Sequence, residues 1–250
     1  MMQFDIKKSE DILQKCEKLF KENGVVIRIT RSKENIKSDL INIIDLFSIN
    51  KEFEPIYTHI VDLNSLEDVN NELKNNVREL REKIKNIIDN LNGFLNENAK
   101  VSANAIFKSL ANFEKVLTKQ ISKVGKNPDE TLEEVRIDYK NKFRKILSER
   151  LIKNIISAIY EGLKNDNIGN DEYEFYKNTL ECINNFMSLC GVYTLIINVN
   201  EEVDFDFTEV IDTVESDNYI SEGRIKSIKM YPYAFNDEEI ICDGQVIVWR

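Results

Sequence analysis

The chain has one histidine, three prolines, eight glycines and four cysteines, and each scarcity excludes something. With His59 as the only imidazole, no Cys/His spacing suits zinc. No nucleophile pairs with His59 by motif, so it reads as a partly exposed structural residue and not as a base. Gly125-Lys126 lacks the upstream glycine and the following Ser/Thr of a phosphate loop, and no other glycine-rich turn suits a nucleotide. Few prolines and glycines mean few loops. No apolar run reaches about 18 residues, which predicts no membrane span. The start, Met1 to Lys8, lacks a basic region followed by an apolar core and does not read as a signal peptide. Cys182 and Cys190 are about 12 Å apart along a predicted helix, too far for a disulfide, which points to reduced thiols in a cytoplasmic protein. Basic residues number 34 against 44 acidic ones, a net charge of −10 that argues against nucleic-acid binding. No constellation supports enzyme chemistry, and no cofactor or metal is expected.

What is present is dominated by helical periodicity. Over Ser65–Leu95 the apolar residues Leu66, Val69, Leu73, Val77, Leu80, Ile84, Ile87, Leu91 and Phe94 recur at steps of three and four. That is a coiled-coil seam with one stutter at Leu73–Val77. Ser65 and Asp68 form a variant capping box at its start. The expected helix is about 30 residues, or roughly 45 Å long. Its narrow seam needs a partner, either another helix of the same chain or a second copy. The residues assigned to dimerisation are Leu73, Val77, Leu80, Ile84, Ile87 and Leu91.

The expected fold is α+β, with a long coiled-coil helix and a helical bundle followed by a small C-terminal β-domain. Residues 1–60 read as a mixed α/β segment of unknown role, with helices over Ser9–Glu22 and Asn35–Phe47 around a strand at Val25–Thr30. Residues 61–128 form the stalk and a hairpin whose second helix spans Ala103–Val124. Pro128 opens the bundle segment, 129–190, with helices Thr131–Leu163 and Tyr173–Cys190. The pentad Ile84-Lys85-Asn86-Ile87-Ile88 recurs as Ile152-Lys153-Asn154-Ile155-Ile156, each before a loop and a helix, a weak echo of duplication. From Gly191 the period changes, and strands are expected over Val192–Ile197, Phe207–Val214, Arg224–Met230 and Gln245–Trp249. Between Asn198 and Glu222 there are nine acidic residues and no basic one. Asp204-Phe205-Asp206 lacks the Gly and the final Glu of a calcium loop, so this stretch reads as a solvated acidic face that steers a basic partner.

In this last third Gly191-Val192, Val203-Asp204, Val210-Ile211, Val214-Glu215-Ser216-Asp217, Glu222-Gly223, Ile228, Tyr233 and Val246-Ile247-Val248, taken in order, resemble the pattern of the GrpE family, nucleotide exchange factors of DnaK-type heat-shock chaperones. Glu149 to Ile156 is similar to the stretch entering the family's short bundle helices, so the likeness covers roughly residues 130–249. It implies a parallel homodimer, a bundle with two helices per subunit, and β-domains held out as wings. It also implies a mechanism: the wing and adjoining helix hold the chaperone's nucleotide-binding domain open, and ADP leaves faster, with no bond chemistry. Carried over, the chaperone-contacting positions are Lys142, Lys164, Asn167, Ile168, Val203, Phe205, Lys229, Glu238 (or Glu239) and Val248. Several contact positions depart from the family's pattern, among them Asp204-Phe205, Thr208 and Pro232-Tyr233. The alternative function is therefore a dimeric scaffold that keeps the fold without exchange activity.

Overall fold

The computed structural model describes residues 53–91, 95, 97–165, 168–215, 222–236 and 239–250. The elements expected within 1–52 lie outside these residues, as do Asn167 and Glu238.

Four helical rods carry the bulk of the described chain: α1 (Ser65–Leu91), α2 (Glu97–Ile121), a continuous rod made of α3 (Leu132–Ile146), a π-helical segment (Leu147–Ile156) and α4 (Ser157–Leu163), and then α5 (Asn170–Leu189). Two small sheets follow, so the architecture is α+β. A short 3-10 turn, Ile56–His59, precedes the rods.

The start of α1 differs in detail from the expected cap. The Ser65 amide donates to the Asp62 carboxylate at 2.7 Å, and the Ser65 hydroxyl accepts from the Asp62 amide at 3.1 Å, so the reciprocal pair sits one turn earlier than Ser65–Asp68. The third rod begins at a full capping box between Thr131 and Glu134, which places the N-cap three residues after Pro128 and the first helical residue, Leu132, four after it. Along this rod the apolar residues Leu147, Leu151, Ile152, Ile155 and Ile156 are all buried. A regular α-helix carries its buried face in a narrower stripe. The wider turn, closed by the Ser157 amide on the Ile152 carbonyl, brings all five inward.

The α1 stripe meets partners within the same chain. α1 packs against α2 and α5, α2 also against α3 and the π segment, and α4 against α5. Leu73, Val77, Leu80 and Ile84 are buried in this shared core, and Ile87 and Leu91 are half-buried against it. The seam assigned to a second copy is thus filled in cis: α1 and α2 form a hairpin that lies on the later helices. Each such Leu or Ile contributes roughly 1.5–3 kcal/mol on burial, and that stabilisation is obtained here without a partner chain. Phe113 of α2 and Phe186 of α5 meet edge to face across the core at 6.1 Å. The repeated pentads fall at different places in it. Ile84 is buried on α1 with Ile87 and Ile88 half-buried, whereas Ile152, Ile155 and Ile156 are all buried in the π segment.

The first sheet has the order β1 (Val192–Thr194), β4 (Tyr233–Phe235), β5 (Ile240–Cys242), all antiparallel. The second has the order β2 (Thr208–Val214), β6 (Gly244–Trp249), β3 (Ile225–Met230), with β2 parallel and β3 antiparallel to β6. β4 and β5, too short to show a period in the sequence, are additions to the four expected strands. The sheets attach differently. Val192, Tyr233, Phe235, Ile241 and Cys242 belong to the bundle core, so the first sheet is fused to the helices. The second sheet buries its own small cluster of Ile197, Ile225, Val246 and Val248.

The turn into β1 is made at Gly191, whose φ of +71° is a left-handed conformation that favours glycine. The chain before the 3-10 turn passes directly over it: a Cβ there would lie 2.3 Å from the Pro55 nitrogen. This close approach lets the Ile56 amide bond the Cys190 carbonyl at 3.3 Å and seats Ile56 and Ile60 fully in the core.

Candidate partner-binding surface

The second sheet carries the acidic stretch. Ahead of β2, the Asp206 amide donates to the Asp204 carboxylate at 3.0 Å, an Asx turn with Phe205 at its tip. Phe205 is 77% exposed, the most exposed large apolar side chain among the described residues. Asp204, Asp206, Glu202, Glu209 and Asp212 are exposed around it in sequence. The turn is anchored from behind. Asn200, with φ +69°, donates its amide to the Ile225 carbonyl at 2.7 Å, the Ile225 amide returns to Glu201, and Arg224 donates to the Asn200 carbonyl. An aromatic ring held out among carboxylates by a braced turn offers an apolar anchor with an acidic rim. That chemistry fits a basic protein surface with an apolar pocket.

The carried-over contact residues separate into groups. Phe205 and Lys229 are exposed on this sheet region. Val248 is buried in the sheet's cluster and Val203 is half-buried against it, so both support the surface from within. Glu239 is turned to the bundle, where Arg144 meets it at 2.9 Å and Lys140 also pairs with it. Lys140 lies over the Tyr57 and Phe235 rings, at 5.1 and 5.9 Å from their centroids, so Glu239 locks the β4–β5 turn onto α3. Lys142 pairs with Asp138 one turn away on α3 at 2.5 Å. Ile168 is half-buried in the link between α4 and α5.

Lys164 is the residue whose position joins the two parts. It ends α4, and its ammonium donates to the Lys229 carbonyl at 2.7 Å and also to the Ile228 carbonyl. It sits 5.6 Å from the centre of the Tyr160 ring. Burial first, and the nearby Lys229 charge second, push its pKa down to about 8, against the opposing pull of Glu161. Tyr160 in turn packs against Tyr231 at 6.1 Å. The resemblance implies a partner contact at Lys164, and in the structure the same ammonium tethers α4 to β3. Donation to two consecutive strand carbonyls has no sequence signature.

His59 Nδ1 lies 3.8 Å from Glu72. Cys182, Cys190 and Cys242 are free thiols, and burial raises the pKa of each, which disfavours the thiolate. Among the described residues no group of three or more His, Cys, Asp or Glu side chains could hold a metal ion, and no helix is long and apolar enough to cross a membrane. In the comparisons with known proteins, this chain matches no family model, no curated protein and no solved structure.

Proposed function

We propose that this protein is a co-chaperone of the GrpE type, a nucleotide exchange factor that binds the nucleotide-binding domain of a DnaK-type chaperone and favours its open, ADP-releasing state. The observation that carries the reading is where the residues of the resemblance fall. Gly191-Val192 open the first sheet, Val210-Ile211 lie in β2, Gly223 turns into β3, Ile228 and Tyr233 lie in β3 and β4, and Val246-Ile247-Val248 form the middle of β6. They are distributed as the framework of one β-region attached to the end of a helical bundle, with an exposed aromatic residue at its acidic edge. Work is done by differential binding: a partner state that accepts Phe205 and its carboxylates better is the state populated. Because the α1 seam is filled within the chain, a homodimer would have to form through another surface.

The experiment is release of a fluorescent ADP from each DnaK-like ATPase of the same organism, with and without the protein. Acceleration with one of them is expected; no acceleration with any overturns the exchange reading. The second reading, a scaffold that keeps the fold without exchange, is favoured by Val248 and Glu239 serving the protein's own packing. Tight binding to the chaperone with unchanged ADP release would select it.

A further inference from the structure

We propose that the groove between α1 and α2 is a binding site for a compact, multiply charged phosphate-type anion, of the diphosphate or triphosphate class. It is carried by charge geometry alone and is independent of the exchange reading. On a chain of net charge −10, Arg78 and Arg81 of α1 and Lys115 and Lys119 of α2 line one groove with Thr118 between the lysines. One carboxylate faces these four cations. Glu114, only 19% exposed, takes the Arg81 Nη1 at 2.5 Å and the Arg78 Nε at 3.8 Å. Arg81 is further held by stacking over the Phe107 ring, 5.4 Å from its centroid. Both guanidiniums are thus oriented by one acid that neutralises one of them. The two lysines are exposed and have no acid within ion-pair distance among the described residues. Lys119 is partly explained by its place in the last turn of α2, where the helix dipole favours a cation, and the arginines by their pairing with Glu114; Lys115 is not.

The spacing selects the ligand class. Lys115 and Lys119 are one turn apart, about 6 Å along the axis, and Arg78 and Arg81 about 4.5 Å. An extended acidic peptide advances roughly 3.3 Å per residue, so only about two of its residues fit that length, and alternate side chains face opposite ways. Linked phosphates place several charges within the same span. Guanidinium forks and ammonium groups are the donors that phosphate oxygens favour, and the Thr118 hydroxyl adds a neutral donor.

The test is titration calorimetry of the full chain with sodium tripolyphosphate, and with hexaglutamate as the peptide probe. Saturable tripolyphosphate binding below about 1 mM is expected, weakening several-fold as NaCl rises from about 50 to about 200 mM. Lys115→Ala/Lys119→Ala removes two exposed side chains, so its melting curve stays unchanged while affinity falls about tenfold or more. Arg78→Ala, also at an exposed side chain, gives an independent loss. No saturation by about 5 mM, a double variant that binds within about twofold of the native chain, or tighter binding of hexaglutamate would overturn the proposal.

Discussion

Gly191→Ala tests how the described N-terminal segment is held. The substitution meets two obstacles. At φ +71° an alanine carries a left-handed strain of roughly 1–2 kcal/mol. Its Cβ would also lie 2.3 Å from the nitrogen and 2.4 Å from the Cα of Pro55, and 2.6 Å from the carbonyl carbon of Glu54. These are backbone atoms and cannot rotate away. If the segment stays, its backbone must shift, a cost of about 1–3 kcal/mol in the manner of overpacking. If it leaves, Ile56, Tyr57 and Ile60, all buried, lose roughly 1.5–3 kcal/mol each, partly offset by about 1–2 kcal/mol of backbone entropy per released residue. The protein takes the cheaper route, so a total loss of about 2–5 kcal/mol is expected. Gly223→Ala is the control, because Gly223 has φ +76° and open space where its Cβ would stand; it should lose only the strain, about 1–2 kcal/mol. Urea unfolding of the two variants gives the difference. Hydrogen exchange of the Ile56 amide, bonded to Cys190, reports whether the segment has left. Equal losses within about 0.5 kcal/mol would refute the claim that close backbone approach, and not φ alone, requires glycine at 191.

Three further outcomes follow from the same geometry. Leu73→Ala should cost about 2–5 kcal/mol in urea unfolding with no change in sedimentation mass, since Leu73 is buried within one chain; a fall in mass would show that the stripe also joins two chains. Phe205→Ser should change stability by less than about 0.5 kcal/mol and weaken binding to the responsive DnaK-type ATPase about tenfold or more; equal affinity in a pull-down titration would remove Phe205 from the contact. Lys164 titrates near 8 when folded and near 10.5 when unfolded, so between them the unfolded chain holds the extra proton and stability rises with pH. Buried Tyr139, Tyr160 and Tyr233 have raised pKa values and pull stability down above about 10, which confines the Lys164 effect to about pH 8–10. Lys164→Met should flatten that rise in urea midpoints, and an unchanged slope would refute the assignment.

The helices were legible because burial of one face imposes a 3.6-residue period, and Ser65, Leu91, Leu163 and Leu189 lie at or near the expected ends. Which helix fills which seam was not, because the Leu73–Ile84 stripe looks the same whether its partner is α2 and α5 or a second copy. The strands over Thr208–Val214 and Gly244–Trp249 showed in their β-branched residues, but β4 and β5 have three residues each, too few for a period. At the surface, Phe205 was legible as an apolar residue between two acids. The inward turn of Val248 and the capture of Glu239 by Lys140 and Arg144 depend on register and packing between distant segments.

The difference between the two sheets bears on how any contact at Phe205 must be read. The first sheet shares the bundle core, so its position is fixed by the helices. The second buries Ile197, Ile225, Val246 and Val248 in a small cluster of its own, contributes Met230 of β3 to the bundle core, and is held to α4 by Lys164 and by the Tyr160–Tyr231 contact. A unit whose own core is this small is expected to open at lower free energy than the bundle. Substitutions at Val203 or Val248 would then weaken partner binding by loosening the sheet, without either side chain touching the partner. On the proposed reading, substitution at Phe205 would act on the contact itself. A binding loss that stabilising the sheet restores therefore belongs to support, and one that persists in a fully folded variant belongs to contact. Lys164 stands between the two, since its ammonium carries the sheet's position relative to α4 while its neighbour Lys229 faces outward.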